Sequence, residues 1–251
     1  MYWIGLDIGS LAVKMVVLDE SRREVLLRAE PAGQSSVRVA QNLLASVPPG
    51  KRRVVVTGYG RVTFPDADLE RSEIACHARG AFHLFPDVGT VIDVGGQDSK
   101  AMHTGPDGRV LQFVMNDRCA AGTGRFLEVM ARALGVCVED LETLSARATA
   151  PVVLSSTCAV FAESEVVGCL TAGHVPEDIA AGLVQAIASR VAGLVRQIGV
   201  RGRVVMTGGV ARNGMVVAHL GRLLNAEILV PNDPQMAGAL GAALLATERG
   251  T

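Results

Sequence analysis

Two segments of the sequence carry an aspartate two positions before a glycine at the end of an apolar run. Residues 3–10 contain Asp7, and residues 91–99 contain Asp93, which lies 86 positions further along the chain (93 − 7). A carboxylate at the end of a strand can hold hydrated magnesium or a water molecule, and glycines let backbone N–H groups approach phosphate oxygens. A nucleoside triphosphate held between two lobes needs one such turn from each half. The spacing therefore predicts a duplicated phosphate clamp.

Each turn is followed by a second strand-like segment. Residues 13–18 follow the first turn, and residues 100–103 and 110–114 follow the second. Each half of the chain is therefore expected to begin with a hairpin that carries its glycines at the turn, which indicates an internal duplication.

A third glycine element, residues 206–213, begins as a strand and continues into the pair Gly208 and Gly209. Taken alone, a glycine pair indicates no more than a turn between a strand and a helix. After two phosphate turns, we interpret it as the place where a base and a sugar lie against the backbone, with the next helix N-terminus favouring phosphate. The sequence contains no Gly-x-x-x-x-Gly-Lys-Ser/Thr motif, which excludes a P-loop nucleotide site.

The five cysteines are the second set of residues with possible chemistry. Their number is odd and their spacing wide, with no Cys-x-x-Cys pair and no histidine at zinc spacing, so neither a disulfide framework nor a zinc knuckle is predicted. Cys119 and Cys158 each stand at the start of a predicted helix, where N–H groups and partial positive charge lower the pKa of a thiol and stabilise a metal–sulfur centre. We interpret these two as metal-ligand candidates, and Cys76, Cys137 and Cys169 as small buried core residues.

Two thiolates are too few for an iron–sulfur cluster held by four cysteines. A twofold dimer would supply four, because each subunit presents the same pair at the symmetry axis. From the residues alone, such a shared cluster is a hypothesis.

The elements that must position these residues follow from periodicity and from glycine and proline punctuation. Helices are predicted at residues 36–46, 69–84, 125–134, 158–172, 179–198 and 236–247, and further strands at residues 53–58, 152–154 and 203–207, with residues 155–157 as cap candidates.

The composition limits the possible classes of function. The 251 residues, 49% of them hydrophobic, are enough for two cores, and we expect lobes at residues 1–88, completed by a C-terminal helix 236–251, and at residues 89–235. With 24 basic and 25 acidic residues, no Lys/Arg block and 4% aromatics, nucleic acid is not an expected ligand. No basic leader precedes the first strand and polar residues interrupt each apolar run, so we expect no membrane span and a soluble cytoplasmic protein.

Four segments together resemble the BadF/BadG/BcrA/BcrD ATPase family, and within it the activators (component A) of 2-hydroxyacyl-CoA dehydratases. The likeness extends from the first strand to the final helix. The family implies an α/β, duplicated two-lobe fold of the actin/hexokinase/Hsp70 (ribonuclease H-like) type, with ATP or ADP and Mg²⁺ between the lobes and one [4Fe-4S] cluster bridging a homodimer. The segments are DVGGQDSK (93–100), NDRCAAGTGRF (116–126), STCAVFAESE (156–165) and TGGVARN (207–213).

The resemblance also implies roles for individual residues. The aspartates of the two turns would face magnesium or its waters, a glutamine would orient the attacking water, and two cysteines would hold the cluster. By motif, the first phosphate element is Asp7, Gly9, Ser10 and Lys14, the second is Asp93, Gly95, Gly96 and Gln97, the adenosine pocket is Gly208, Gly209 and Val210, and the cluster ligands are Cys119 and Cys158.

The function implied by the family is ATP-gated electron transfer. A ferredoxin or flavodoxin would donate the electron, and an iron–sulfur dehydratase or benzoyl-CoA-reductase-type enzyme would accept it, while nucleotide shifts the lobes by its different affinity for two states. Two alternatives stay open at this point: a small-metabolite kinase of the same fold, and an actin-like nucleotide-binding protein without redox work.

Several positions leave the family pattern or have no assigned role. Residues 11–13 read Leu-Ala-Val where the family commonly has a Ser/Thr-rich run, so fewer hydroxyl donors are available for phosphate. Glu163 and Glu165 fit either solvated charges near a helix N-terminus or, for Glu163, a residue that reaches the nucleotide. The family also shares Arg61, Glu73 and His77, without a role that the sequence explains.

Overall fold

The computed structural model describes residues 1–155 and 158–248. The chain divides into two compact units. Unit 1 contains Met1–Val91, Met102–Phe113 and the chain from Pro231 onward, and unit 2 contains Ile92–Ala101 and Val114–Val230.

The first sheet is built around the first predicted hairpin. Its first two strands pair antiparallel, its first and fourth strands pair parallel, and its strand order is β3-β2-β1-β4-β5. The inner strands are apolar and buried, as expected for strands that are covered on both faces. The strands are β1 (Tyr2–Ile8), β2 (Ala12–Leu18), β3 (Glu24–Pro31), β4 (Arg52–Thr57) and β5 (Leu69–Glu70).

Three helices belong to unit 1: α1 (Ser36–Ala45), α2 (Glu73–Leu84) and α8 (Ala237–Ala246). Serine side chains cap the first two, with Ser35 accepting from the Arg38 N–H and Ser72 accepting from the Ala75 N–H. Helix α8 is made of small residues because it packs closely against β1 and α2. A Cβ at Gly5, Gly80 or Gly241 would overlap the backbone of Ala239, Ala237 or Cys76 respectively.

The second sheet repeats the order of the first. Its strands lie in the order β10-β9-β6-β7-β8, so in both sheets the first strand has the second on one side and the fourth on the other. This repetition confirms the internal duplication that the two aspartate turns predicted. The strands are β6 (Val88–Val94), β7 (Ser99–Thr104), β8 (Val110–Asn116), β9 (Arg203–Thr207) and β10 (Ile228–Leu229).

The core of unit 2 is organised by its longest helix, α6 (Pro176–Val195), which packs against the unit's other helices. Its apolar residues, among them Ile179, Leu183 and Ile187, are fully buried. By length and composition alone the helix could cross a membrane, but 72% of its most apolar window is buried, as in a core helix, and Gln185, Ser189 and Arg190 interrupt its apolar run as expected. The other helices are α3 (Gly124–Leu134), α4 (Asp140–Ala146), α5 (Ala159–Thr171) and α7 (Gly214–Leu224).

The differences from the predicted elements have local causes. Strand β3 has charged, exposed residues at the sheet edge and therefore lacks a period-two apolar pattern. Helix α4 is a single polar stretch of two turns, too short for a periodicity signal. Residues 152–154 form no strand; the Val152 N–H donates to the Asp178 carbonyl instead. The predicted cap residues Ser156 and Thr157 and the final residues 249–251 lie outside the described residues.

Candidate functional site

The hairpin of unit 1 brings Asp7 and Lys14 together. They are direct partners in the β1–β2 register, and Lys14 Nζ lies 3.0 Å from Asp7 Oδ2. The Gly9 N–H donates to the Ala12 carbonyl at 3.1 Å and closes the turn. A Cβ at Gly9 would lie 2.7 Å from that carbonyl oxygen, so a side chain there would open the turn. Ser10 follows at the tip.

The end of β4 completes this arrangement. Thr57 is the register partner of Asp7, and Gly58 follows with φ +89°. A Cβ at Gly58 would lie 2.6 Å from Asp7 Oδ1, so both the backbone conformation and the space require glycine. The buried Thr57 hydroxyl has no nitrogen or oxygen partner among the described residues, and its polar neighbour is the Cys76 thiol.

The hairpin of unit 2 has the same aspartate–lysine pair, and both residues make additional contacts. Asp93 is buried, and its Oδ1 accepts from the Thr207 hydroxyl at 3.3 Å. Lys100 Nζ lies 3.4 Å from Asp93 Oδ2 and 2.7 Å from Asp98 Oδ1. Gly208 has φ +88°, and a Cβ there would lie 2.7 Å from Asp93 Oδ1, which repeats the relation of Gly58 to Asp7.

Part of this second arrangement was not predicted from the sequence. Lys14 was assigned to the first phosphate element, whereas Lys100, Asp98 and Thr207 had no assigned role. A signal was present, because the aspartate and the lysine are separated by seven positions in both hairpins (14 − 7 and 100 − 93).

The turn of the second hairpin is connected to the segment that holds Cys119. The Gly95 N–H donates to the Asp98 carbonyl at 3.0 Å, which leaves Gln97 exposed at the tip. The Gly95 carbonyl accepts from the Gly124 N–H at 2.8 Å, and the Gly96 carbonyl accepts from the Arg125 N–H at 2.9 Å. Gly124 and Arg125 are the first two residues of α3.

Cys119 precedes α3 and does not lie at the start of the helix itself, which agrees with the helix predicted at residues 125–134. It lies in the loop between β8 and α3, five positions before Gly124, because the Gly-Thr-Gly segment favours a turn over an early helix. The Asn116 side-chain amide donates to the Cys119 carbonyl at 2.9 Å. The Cys119 side chain is exposed.

Cys158 is the N-cap residue of α5, as expected. Its carbonyl accepts the first helical hydrogen bond, from the Ala162 N–H at 2.9 Å. Beside it, Val160 and Phe161 are 69% and 68% exposed. The Glu165 carboxylate accepts from the Ser155 N–H and hydroxyl at 2.8 and 2.9 Å, so Glu165 fixes the segment before the helix, whereas Glu163 is exposed.

The remaining cysteines differ from one another. Cys76 is buried, as expected, and burial raises the pKa of its thiol to about 12. Burial, and then the nearby Glu165 carboxylate, raise the pKa of the Cys169 thiol. Cys137 was expected in the core but is exposed, because it follows the left-handed Gly135 that ends α3 and begins a surface connection.

The remaining predicted site residues occupy separate places. Gly209 opens a 3-10 turn of four residues after β9, Val210 is buried, and a Cβ at Gly209 would meet nothing within 4 Å. In unit 1, Arg61 donates to the Gly58 carbonyl at 3.0 Å and lies 3.8 Å from Glu73 Oε1. His77 is buried against Gly238 of α8, where a Cβ would lie 2.6 Å from its Nε2.

Comparison with protein families gives one full-length match. A model of the BadF/BadG/BcrA/BcrD ATPase family matches residues 4–246. The 2-hydroxyisocaproyl-CoA dehydratase activator of Clostridioides difficile is 47% identical over 98% of this chain and 95% of its own. The (R)-2-hydroxyglutaryl-CoA dehydratase activating ATPase of Acidaminococcus fermentans is 43% identical over 99% of this chain and 98% of its own.

Solved structures support the same relationship. The activator of the 2-hydroxyisocaproyl-CoA dehydratase from Clostridium difficile, with bound ADPNP, has a TM-score of 0.91 at 47% identity, covering 98% of this chain and 94% of that one. A ROK family glucokinase from Streptomyces griseus has a TM-score of 0.59 at 15% identity, covering 98% and 99% of the two chains. The glucokinase likeness concerns the fold alone, and with the repeated sheets it confirms the predicted actin/hexokinase-like α/β fold.

Proposed function

This chain belongs to the BadF/BadG/BcrA/BcrD ATPase family, and from that membership we propose that it couples ATP hydrolysis to one-electron delivery as an activator. The proposed acceptor is an iron–sulfur 2-hydroxyacyl-CoA dehydratase or a related benzoyl-CoA-reductase-type enzyme. The names of the relatives from C. difficile and A. fermentans support the dehydratase. The electron donor would be a ferredoxin or flavodoxin, and the compartment the cytoplasm.

The nucleotide chemistry is assigned to the two aspartate hairpins. Asp7 and Asp93, each at a strand end beside a lysine, would hold Mg²⁺ directly or through its waters, which fits the preference of magnesium for a few carboxylate ligands. Gln97, exposed at its turn, would orient the attacking water, and ATP and water would become ADP and phosphate. The lobes that respond would be residues 1–88, completed by the helix that begins near residue 236, and residues 89–235.

The phosphates and the adenosine would lie against glycine backbone. Backbone N–H groups at turns form concavities that bind anions, and a glycine surface admits a flat base and sugar. Two observations support the adenosine assignment: a Cβ added at Gly209 would meet nothing within 4 Å, so there is room beside its backbone, and the next residue, Val210, is buried. The phosphate contacts assigned to the two hairpins are those of Gly9, Ser10, Lys14, Gly95 and Gly96, and the adenosine contacts are those of Gly208, Gly209 and Val210.

One observation carries the redox assignment: Cys119 and Cys158 precede two helices of unit 2, α3 and α5, that pack against each other. Cys158 is the N-cap of its helix, where N–H groups and the helix dipole stabilise a thiolate. Cys137 lies instead beyond the C-terminal end of α3 and before a helix with acidic residues in its first turn. The two thiols therefore fit ligation of an iron–sulfur cluster better than the other three.

Two ligands per chain lead to a homodimer with one shared [4Fe-4S] cluster. The apolar side chains beside Cys158 support a second copy at this surface, because Val153, Val160 and Phe161 are 87%, 69% and 68% exposed. When bound, the cluster would supply storage of a single electron at low potential. The chain's part would be to hold it by the thiolates of Cys119, in the loop before α3, and of Cys158, at the start of α5, where backbone N–H groups offset added negative charge.

Iron analysis of the anaerobically purified protein tests the ligand assignment. We expect brown protein with about four iron atoms per dimer, and loss of iron in Cys119→Ala and in Cys158→Ala. The matched control is Cys137→Ala, which removes another exposed thiol of the same unit and should leave the iron content unchanged. Loss of iron only in the Cys137 variant, or a colourless monomer after reconstitution, would refute the assignment.

Electron delivery is tested by single-turnover reduction of a dehydratase acceptor by the reduced protein. We expect reduction of the acceptor with MgATP and none with MgADP. A colourless protein that phosphorylates a small metabolite would favour the kinase alternative, and nucleotide-dependent polymerisation without iron would favour the actin-like alternative.

A further inference from the structure

The N-terminus of α3 is capped by the phosphate turn of the second hairpin. Backbone N–H groups in the first turn of a helix lack helical partners, and a side chain usually accepts from them. Thr123, the N-cap residue of α3, makes no such side-chain bond in the described chain, since its hydroxyl donates to the Ala120 carbonyl at 2.6 Å. The carbonyls of Gly95 and Gly96 accept from the N–H groups of Gly124 and Arg125 instead, at 2.8 and 2.9 Å.

The loop that carries Cys119 is itself tied together. The Thr123 N–H and hydroxyl both donate to the Ala120 carbonyl, at 3.0 and 2.6 Å, and the Asn116 amide donates to the Cys119 carbonyl. Ala121 and Thr123 are buried. A displacement of the first residues of α3 is therefore transmitted to Cys119 through short backbone links, without a long flexible connection.

Peptide planarity connects these carbonyls to the side of the turn that would face phosphate. The Gly95 carbonyl and the Gly96 N–H belong to one planar peptide group, and the Gly96 carbonyl and the Gln97 N–H belong to the next. Any rotation that aims either N–H at a phosphate oxygen must also rotate the carbonyl that caps α3. Two glycines without side chains permit this rotation at small cost.

We propose that the backbone N–H groups of Gly124 and Arg125 are positioning contacts through which the nucleotide state of the Gly95–Gly96 turn sets the conformation of the Cys119 loop. This inference rests on the proposed function, and it names how that site is regulated. It requires no partner subunit and no cluster, because all the contacts lie within unit 2 of one chain.

Thiol alkylation of the full-length, iron-free protein tests the link. Cys119 and Cys137 are both exposed and lie beyond opposite ends of α3, so Cys137 is an internal reference. Iodoacetamide labelling of each cysteine is followed by peptide mass spectrometry with no nucleotide, with MgADP and with MgADPNP. We expect the Cys119 rate to change about fivefold between the two nucleotides, as for a modest coupling between sites, and the Cys137 rate to stay constant.

The decisive variant is Arg125→Pro, which deletes the N–H that donates to the Gly96 carbonyl. Proline is tolerated in the first turn of a helix. The matched control is Arg125→Ala, which also loses the ion pair with Glu128 at 3.1 Å but keeps the N–H. We expect the nucleotide response of Cys119 to disappear in Arg125→Pro and to persist in Arg125→Ala, with nucleotide binding retained in both.

A second variant tests the same link in case Arg125→Pro does not fold. A Cβ at Gly124 would lie 3.2 Å from the Gly95 carbonyl oxygen, so Gly124→Ala pushes the two segments apart, and it should weaken the same response. The link is refuted if the Cys119 labelling rate is the same with MgADP and MgADPNP, or if the Cys137 rate changes by the same factor. It is also refuted if the Cys119 rate in both variants changes with nucleotide as it does in the native chain. Missing iron in the ligand experiment refutes the cluster instead, and failure to bind nucleotide refutes both proposals.

Discussion

The two aspartate hairpins share an aspartate, a glycine and a lysine at the same spacing, but they differ in how deeply the lysine is enclosed. The Lys14 side chain is 16% exposed beside Asp7, whereas the Lys100 side chain is 2% exposed between Asp93 and Asp98. Asp93 also accepts from Thr207, while Thr57, the corresponding residue of unit 1, has a hydroxyl with no such oxygen partner. After duplication, one copy of the motif has a cation near solvent and the other a cation fixed in the interior.

This difference indicates a division of roles. A partly exposed lysine can exchange its carboxylate for a phosphate oxygen at small desolvation cost, whereas a buried lysine between the buried Asp93 and the partly exposed Asp98 cannot leave without removing the ion-pair partner of a buried carboxylate. We therefore expect Lys14 to act on the nucleotide and Lys100 to hold Asp93 in position. Four experiments test whether the two hairpins differ in this way.

The largest expected effect is on stability, from Lys100→Met. Removing the cation takes away the ion-pair partner that Asp93 and Asp98 share, and breaking a buried pair in this way costs about 3–5 kcal/mol. Urea unfolding of the variant and of Lys14→Met gives the comparison. Lys14→Met should cost well under half as much, because water reaches its site. Adding Asp98→Asn to Lys100→Met should recover part of the stability; equal losses for the two lysine variants would contradict the division of roles.

The second largest effect is expected on ATPase activity, in the variant Lys14→Met. If Lys14 meets phosphate, its loss should lower ATP turnover by about a hundredfold, as for removal of one donor to developing charge. The measurement is steady-state ATPase activity, with the melting temperature as the check on folding. Lys14→Arg keeps the charge and should retain more of the activity. Turnover unchanged in Lys14→Met would show that the Asp7–Lys14 pair is structural.

A smaller effect is expected from Gly58→Ala. The positive φ of Gly58 and the 2.6 Å from its added Cβ to Asp7 Oδ1 mean that Asp7 must move, at a cost of about 1–3 kcal/mol. Thermal unfolding and the Mg²⁺ dependence of ATPase activity should both change. The control is Gly193→Ala in α6, where a Cβ meets nothing within 4 Å. Matching melting temperatures for the two variants would show that the turn accommodates a side chain.

The smallest effect separates the two threonines. Thr207→Val loses the 3.3 Å hydrogen bond to the Asp93 carboxylate and should cost about 1.5 kcal/mol, the low end of the range for a bond to a charged group, because the contact is long. Thr57→Val removes a buried hydroxyl that has no nitrogen or oxygen partner in the described chain, so stability should stay the same or rise slightly. The unfolding midpoints of both variants test this prediction. A larger loss of stability in Thr57→Val than in Thr207→Val would contradict the proposed difference between the two hairpins.

Much of the fold was predictable because it is encoded in short-range patterns. The hairpins, the strand before Gly58 and the helices α1, α5 and α6 follow from apolar runs, caps and glycine punctuation within a few residues. The edge strand β3, the short strands β5 and β10 and helix α4 were not predicted. Their sequences have no apolar periodicity, and neighbouring strands or packed helices determine their conformation.

The site residues divide in the same way. Local motifs predicted Asp7, Asp93 and the glycines of both turns as site residues, which stays a prediction, and the expected burial of Cys76 was confirmed. The exposure of Cys137 was not identified, because burial depends on what packs over a residue and not on its neighbours in sequence.

Local sequence was enough to predict which residues can do chemistry: two carboxylates on apolar strands, the glycines that follow them, and cysteines near helix starts. How those residues are supported depends on contacts that form only when the chain folds. Lys100 reaches two carboxylates, Thr207 and Gly208 arrive beside Asp93 from a strand more than a hundred positions away, and the Gly95–Gly96 turn caps α3. These contacts join distant parts of the chain, and no local pattern encodes them, because burial and hydrogen bonding are settled only when the strands and helices pack.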